Sequence, residues 1–186
     1  MLELLKDTRK HLVTGVSYML PFVVAGGVLL ALSVMLSGTP SAPESGILKD
    51  IWDIGVGGMS LFVPIMGGFI AFSMVDRPGI APGAIGAYLA NSIGAGFLGG
   101  MLAGILAGIV VYYLKRIKVP PIMRSIMPIF IIPLVGTFVV GGLIVWVLGI
   151  PIAALMTALT TWLSGMSGTS KIVLGIILGS MIAFDM

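Results

Sequence analysis

Four long stretches of the chain, residues 12–43, 54–75, 78–114 and 125–170, contain no Asp, Glu, Lys or Arg. A helix crosses a ~30 Å hydrocarbon layer with roughly 20 apolar residues, and each stretch is long enough. The bases collect at the junctions, as Lys6/Arg9/Lys10 and Lys115/Arg116/Lys118/Arg124. Only 9% of the residues are charged and 58% are hydrophobic, whereas a soluble domain carries about 25% charge. A water-soluble fold is excluded. Without water, a spanning backbone must bond to itself, so the expectation is an all-α polytopic transmembrane protein in contact with the lipid bilayer.

The formal charge is +3. Bases at span ends are explained by retention of positive charge in the cytoplasm, and no nucleic-acid partner is expected. There is no cysteine, which excludes disulfides, thiolate nucleophiles and Cys-ligated metals. The single histidine, His11, has no second His to form a metal pair and reads as a solvated or headgroup-level residue. The apolar run after Lys10 exceeds the 7–15 residues of a cleaved signal core, so the first span is retained.

About six spans follow. The first is about Val13–Leu36, entering from a cytoplasmic N-terminus marked by Lys6, Arg9 and Lys10. Ser37–Lys49, rich in Ser, Pro and Gly, reads as an outside loop. The second span, about Ile51–Val75, returns to Asp76-Arg77. Next come the Gly/Pro-rich Pro78–Ser92 and the helix Ile93–Leu114. If only the second of these crosses, the densest basic cluster emerges outside. If both cross, with a turn at Asn91-Ser92, the cluster returns to the cytoplasm, and this topology is favoured. As helix, Pro78–Ser92 reaches only ~23 Å, so neighbouring protein must satisfy its backbone.

The fifth span is about Ile126–Leu148, with Pro128 in its first turn and a kink expected at Pro133. Gly149-Ile150-Pro151 is expected to end it. In Ala153–Met166, Thr157, Thr160, Thr161 and Ser164 share one face, opposite Leu155, Leu159, Trp162, Leu163 and Met166. That amphipathic pattern suits an external interfacial helix; the alternative is a span whose Thr face points into protein. Lys171–Met186 begins a sixth crossing, truncated at the chain end.

Gly96, Gly100, Gly104 and Gly108 recur every four residues, flanked by Ala95, Gly99, Ala103 and Ala107. Such a strip lets helices approach closely; Gly175, Gly179 and Ala183 repeat it more weakly. No glycine pair extends to GxxxxGK[ST], so no phosphate loop is present. Among polar candidates, Asp76-Arg77 reads as a solvated boundary pair rather than a ligand site. Asn91 reads as a turn or cap, with a sugar contact as the alternative. Asp185 is the one ionisable residue within an apolar span. It is the sole candidate substrate-binding residue, its alternative being a polar position at the truncated end. No carboxylate pair, Ser/His/Asp set or metal-ligand cluster is present, so catalytic, cofactor-binding and metal residues are expected to be none.

Several strings carry a family resemblance: YMLPFVVAGGVLLAL (18–32), DRPGIAPGAIGAYL (76–89), GAGFLGGMLAGILAG (94–108), IMPIFIIPLVGTFVVGG (126–142), ALMTALTTWLSGMSG (154–168) and LGIILGSMIAFDM (174–186). Together they resemble the fructose-type enzyme IIC of the bacterial phosphotransferase system. The resemblance implies a permease of the bacterial cytoplasmic membrane that translocates fructose or a fructose-like sugar as it is phosphorylated. Enzyme IIA and IIB phosphocarriers would be its partners, and a homodimer its assembly. The phosphocysteine would reside on IIB, so this cysteine-free chain would be one component of a phosphotransferase and would hold no phospho-acceptor of its own. On this resemblance residues 1–186 would correspond to the N-terminal part of IIC, and the family's principal sugar-binding part would lie beyond position 186. Two readings stand beside this one: a structural or dimerisation remnant of a permease, and a secondary transporter without phosphotransfer.

Overall fold

A computed structural model describes residues 7–39, 41–117 and 126–166, together with Gly175. Helix α1 (Thr8–Ser37) and helix α2 (Ile47–Val75) pack antiparallel along most of their lengths. A short 3-10 turn, Arg77–Gly79, leads into the 13-residue α3 (Ile80–Ser92), and a tight turn connects it to α4 (Gly96–Lys115). The chain resumes as a π-helical turn, Met127–Ile131, followed by α5 (Ile132–Gly142). A second π segment, Leu143–Leu148, leads into α6 (Gly149–Met166). Among the described residues every element is helical.

Four helices are long and apolar enough to cross a membrane: Thr8–Ser37, Ile47–Val75, Gly96–Lys115 and the continuous stretch Met127–Trp162. Of the about six spans expected, the other two are the short Gly/Pro-rich segment, here α3, and Lys171–Met186; the one correction is to the end of the fifth. At ~20 Å, α3 is too short to span alone. Gly149-Ile150-Pro151 does not end the fifth span, because the helix runs through it. The Lys171–Met186 crossing lies outside the described residues, apart from a helical Gly175.

Pro133 and Pro151 in the last helical stretch each follow a π turn. The Ile132 N–H donates to the Met127 carbonyl ahead of Pro133, and the Gly149 N–H donates to the Ile144 carbonyl ahead of Pro151. Proline donates no backbone N–H, and the wider i→i+5 register carries the helix into each of these two positions. The helix therefore persists through Gly149-Ile150-Pro151, where a break was expected.

The core lies where α4 wedges between α2 and α3, and glycine decides how near they come. A Cβ at Gly104 would stand 2.8 Å from the Gly67 carbonyl oxygen, and one at Gly83 would stand 2.5 Å from the same oxygen. Gly100 and Gly108 pack on Val63 and Met74 of α2, while Gly99 packs on Ala90 of α3. The expected strip thus has two rows, one for each neighbour. Gly96 is the exception: at φ +54 it shapes the α3–α4 turn. Val63, Met66, Ile70, Ala87, Ala103 and Val140 are fully buried around this seam. α3 is held by contacts with α2, α4 and α5, consistent with the expectation that protein must enclose so short a segment.

Gly104→Ala puts a methyl against backbone that cannot step aside. It should destabilise the bundle by about 1–3 kcal/mol, read as a lower thermal midpoint in detergent. Gly27→Ala, where nothing lies within 4 Å, should leave the midpoint within a degree or so of wild type.

Candidate functional site: the basic end of the bundle and the α3–α4 tip

Side-chain bonds bring three chain segments to one end of the bundle. His11 Nδ1 lies 2.8 Å from Ser73 Oγ, which reaches Thr14 Oγ1 at 3.4 Å, tying the start of α1 to the end of α2. Lys115 Nζ, at the end of α4, donates to the Val75 carbonyl at 2.9 Å and approaches Asp76 Oδ2 at 3.4 Å. The Arg116 guanidinium stands 4.3 Å from the Tyr112 ring centroid and donates to its hydroxyl. Arg9, Lys10, Arg77, Lys115 and Arg116 therefore share one end. The short α3 produces this, because it reverses the chain before α4 reverses it again. Lys6, Lys118 and Arg124 lie outside the described residues.

His11 corrects the solvated reading. It is only 7% exposed, because Gly15, one turn on, lets α1 close against Met66 and Ile70. The sequence signal was the His11/Gly15 spacing opposite Ser73, legible only once α1 and α2 were known to pair.

Asp76 carries φ +63 and ψ −160, a region that essentially only glycine occupies without cost. Its N–H is held by the Phe72 carbonyl at 2.8 Å, and its own carbonyl accepts from the Gly79 N–H at 3.0 Å. The carboxylate is 83% exposed, so its pairing with Lys115 is weak, in keeping with a boundary pair. The shorter bond from Lys115 to Val75 instead caps the C-terminus of α2.

At the other end of α3, Asn91 and Ser92 are exposed. Ser92 Oγ donates to the Leu89 carbonyl, as a cap does. Asn91 makes no side-chain bond to a described residue. The candidate Asp185 lies outside the described residues, and no metal-binding group of His, Asp or Glu occurs among them.

Along its entire length the chain is 52% identical to a fructose-like permease IIC component 2 of Escherichia coli strain K12, spanning 53% of that protein. It is 38% identical over 98% of its length to a PTS system fructose-specific EIIC component of Haloferax volcanii, spanning 55% of it. A PTS system fructose-specific EIIABC component of Bacillus subtilis is 43% identical over 95% of the chain, which spans 29% of that protein. The chain belongs to the fructose-type enzyme IIC family. It spans about half the length of the single-component IIC relatives it matches. No family model and no solved structure matches it. Within this IIC chain the DRPG string (76–79) is thus the turn that reverses α2 into α3, with Asp76 in its strained position.

Asp76→Gly should relieve that strain and raise stability by about 1 kcal/mol, seen as a higher thermal midpoint, whereas Asp76→Ala should not. Lys115→Met should lower stability by about 1 kcal/mol through the uncapped Val75 carbonyl. It should exceed the effect of Asp76→Asn, which removes only the exposed charge.

Proposed function

We propose that this chain is the N-terminal part of a phosphotransferase-system permease that carries fructose or a fructose-like sugar across the bacterial cytoplasmic membrane as it is phosphorylated. The observation that carries the reading is 52% identity along the whole chain to a fructose-like permease IIC component. Relatives named as EIIABC and EIIB'BC components support IIA and IIB phosphocarriers as partners. The chain has no cysteine, so on this reading the phosphoryl group arrives on a partner. Its own part is to hold a frame: a glycine-packed bundle, working as a homodimer, against which the rest of the permease moves. Alternating access of this kind needs one rigid body and one that shifts.

The basic end would face the cytoplasm, since Arg9, Lys10, Arg77, Lys115 and Arg116 gather there and positive charge is retained on that side. Asp185, outside the described residues, remains the proposed sugar contact of this chain.

The test is reconstitution. Vesicles holding the full-length permease that contains this chain, supplied with IIA, IIB and phosphoenolpyruvate, should accumulate fructose phosphate. Sugar entering unphosphorylated would refute the reading. The 186-residue chain alone should bind fructose no tighter than the millimolar range, and saturable binding well below that would place the sugar site within it. Ile117→Cys should label only from the cytoplasmic side; labelling from outside would invert the topology.

A further inference from the structure

The α3–α4 turn stops short of the far end of the bundle. Gly100 lies against Val63, and Gly99 lies against Ala90, so the turn stands about one helical turn beyond Val63, near Ser60. From there α2 continues to Ile47, roughly 20 Å further. The Lys49–Asp53 ion pair, 2.9 Å long, marks where that helix becomes polar, about 10 Å past Ser60. The tip thus sits at a depth where α2 carries no charged residue. Yet it is irregular backbone, with Gly94 at φ +83 and Gly96 at φ +54, and Asn91 and Ser92 are exposed. At such depth non-helical backbone persists only when covered by protein or lining a water-filled cavity.

The flanking helices indicate which. A Cβ at Gly94 would lie 4.0 Å from Ala153 Cβ, and one at Gly96 would lie 3.2 Å from Met156 Cε, so this face of α6 rests on the tip. Thr157 and Thr160 follow Ala153 and Met156 at i+4 on that same face. Both are exposed, and each donates its hydroxyl proton to the carbonyl four residues back, leaving its oxygen lone pairs outward. On α2, the stripe that carries Val63 and Gly67 toward α4 continues, at helical spacing, through Ser60, Val56 and Asp53. Ser60, Val56 and Asp53 are exposed. Floor and walls therefore present a carboxamide, four hydroxyls and one ion pair.

We propose that the α3–α4 tip is the floor of a water-filled recess, open at the end opposite the basic residues and walled by α2 and α6. Its uncharged hydrogen-bonding floor takes a small polyhydroxylated solute. The ligand class rests on the sugar-permease reading; the hydration does not. This chain contributes no cysteine of its own, so single cysteines are introduced here after any cysteine elsewhere in the permease is replaced by serine. In the full-length permease in membranes, Asn91→Cys, Ser92→Cys, Ser60→Cys and Thr160→Cys should react with a charged, membrane-impermeant thiol reagent. Phe138→Cys, exposed on an apolar flank near the level of Gly86, should react at least tenfold more slowly. Fructose at high millimolar concentration should slow labelling at 91 and 92 at least twofold and leave Glu44→Cys in the outer loop unchanged. Positions 91 and 92 as inert as 138 would overturn the recess, and labelling indifferent to fructose would overturn its ligand. Any one variant that fails to insert leaves three independent positions to decide. Labelling intact in a permease that does not phosphorylate sugar would count against the transport reading alone.

Discussion

Lipid offers no reward for bringing apolar helices together, so a bundle in a membrane must be held by contact distance. Here the contact is backbone on backbone. Gly67 of α2 lies under both Gly83 of α3 and Gly104 of α4, close enough that a methyl on either would strike its carbonyl oxygen. At that separation many atom pairs sit near their optimum, each worth about 0.1–0.2 kcal/mol. The seam holds α3, too short to span by itself, inside the bundle.

The placement of α3 has consequences at both of its ends. At one end it returns the chain so that α4 finishes beside α2, and Lys115 reaches the Val75 carbonyl. At the other it leaves a turn with polar residues at a depth where α2 carries no charged residue. One short glycine-rich segment thus sets the charge asymmetry of the bundle and leaves the exposed Asn91 and Ser92 at its far end. The strained Asp76 backbone is part of the same device, because α2 must turn sharply there for α3 to pack antiparallel.

The helical stretch from Met127 to Met166 shows how local rules and their context compete. Proline removes a backbone donor, and a break at Gly149-Ile150-Pro151 follows from that rule alone. The chain instead widens to π bonding just before Pro133 and just before Pro151, and the helix continues. On α6 it is Ala153 and Met156 that rest on the α3–α4 tip, with Thr157 and Thr160 following them one turn on and exposed. Their seats are Gly94 and Gly96, a pairing far apart in the chain.

The residues by themselves determined the class, the long apolar helices to within a few positions, the glycine strip and the resemblance to the fructose-type enzyme IIC family. These depend on composition, local period and matching strings, all of which exist before the chain folds. Tertiary structure decided the rest. The sequence places His11 in solvent or at headgroup level, yet it is buried on Ser73, because its partner is 62 positions away. The expected break at Gly149-Ile150-Pro151 gives way to a continuous helix, and the short α3 is held because α2, α4 and α5 pack against it. Which row of the glycine strip faces which neighbour, and where the α3–α4 turn stops along α2, were set by contact distances between helices.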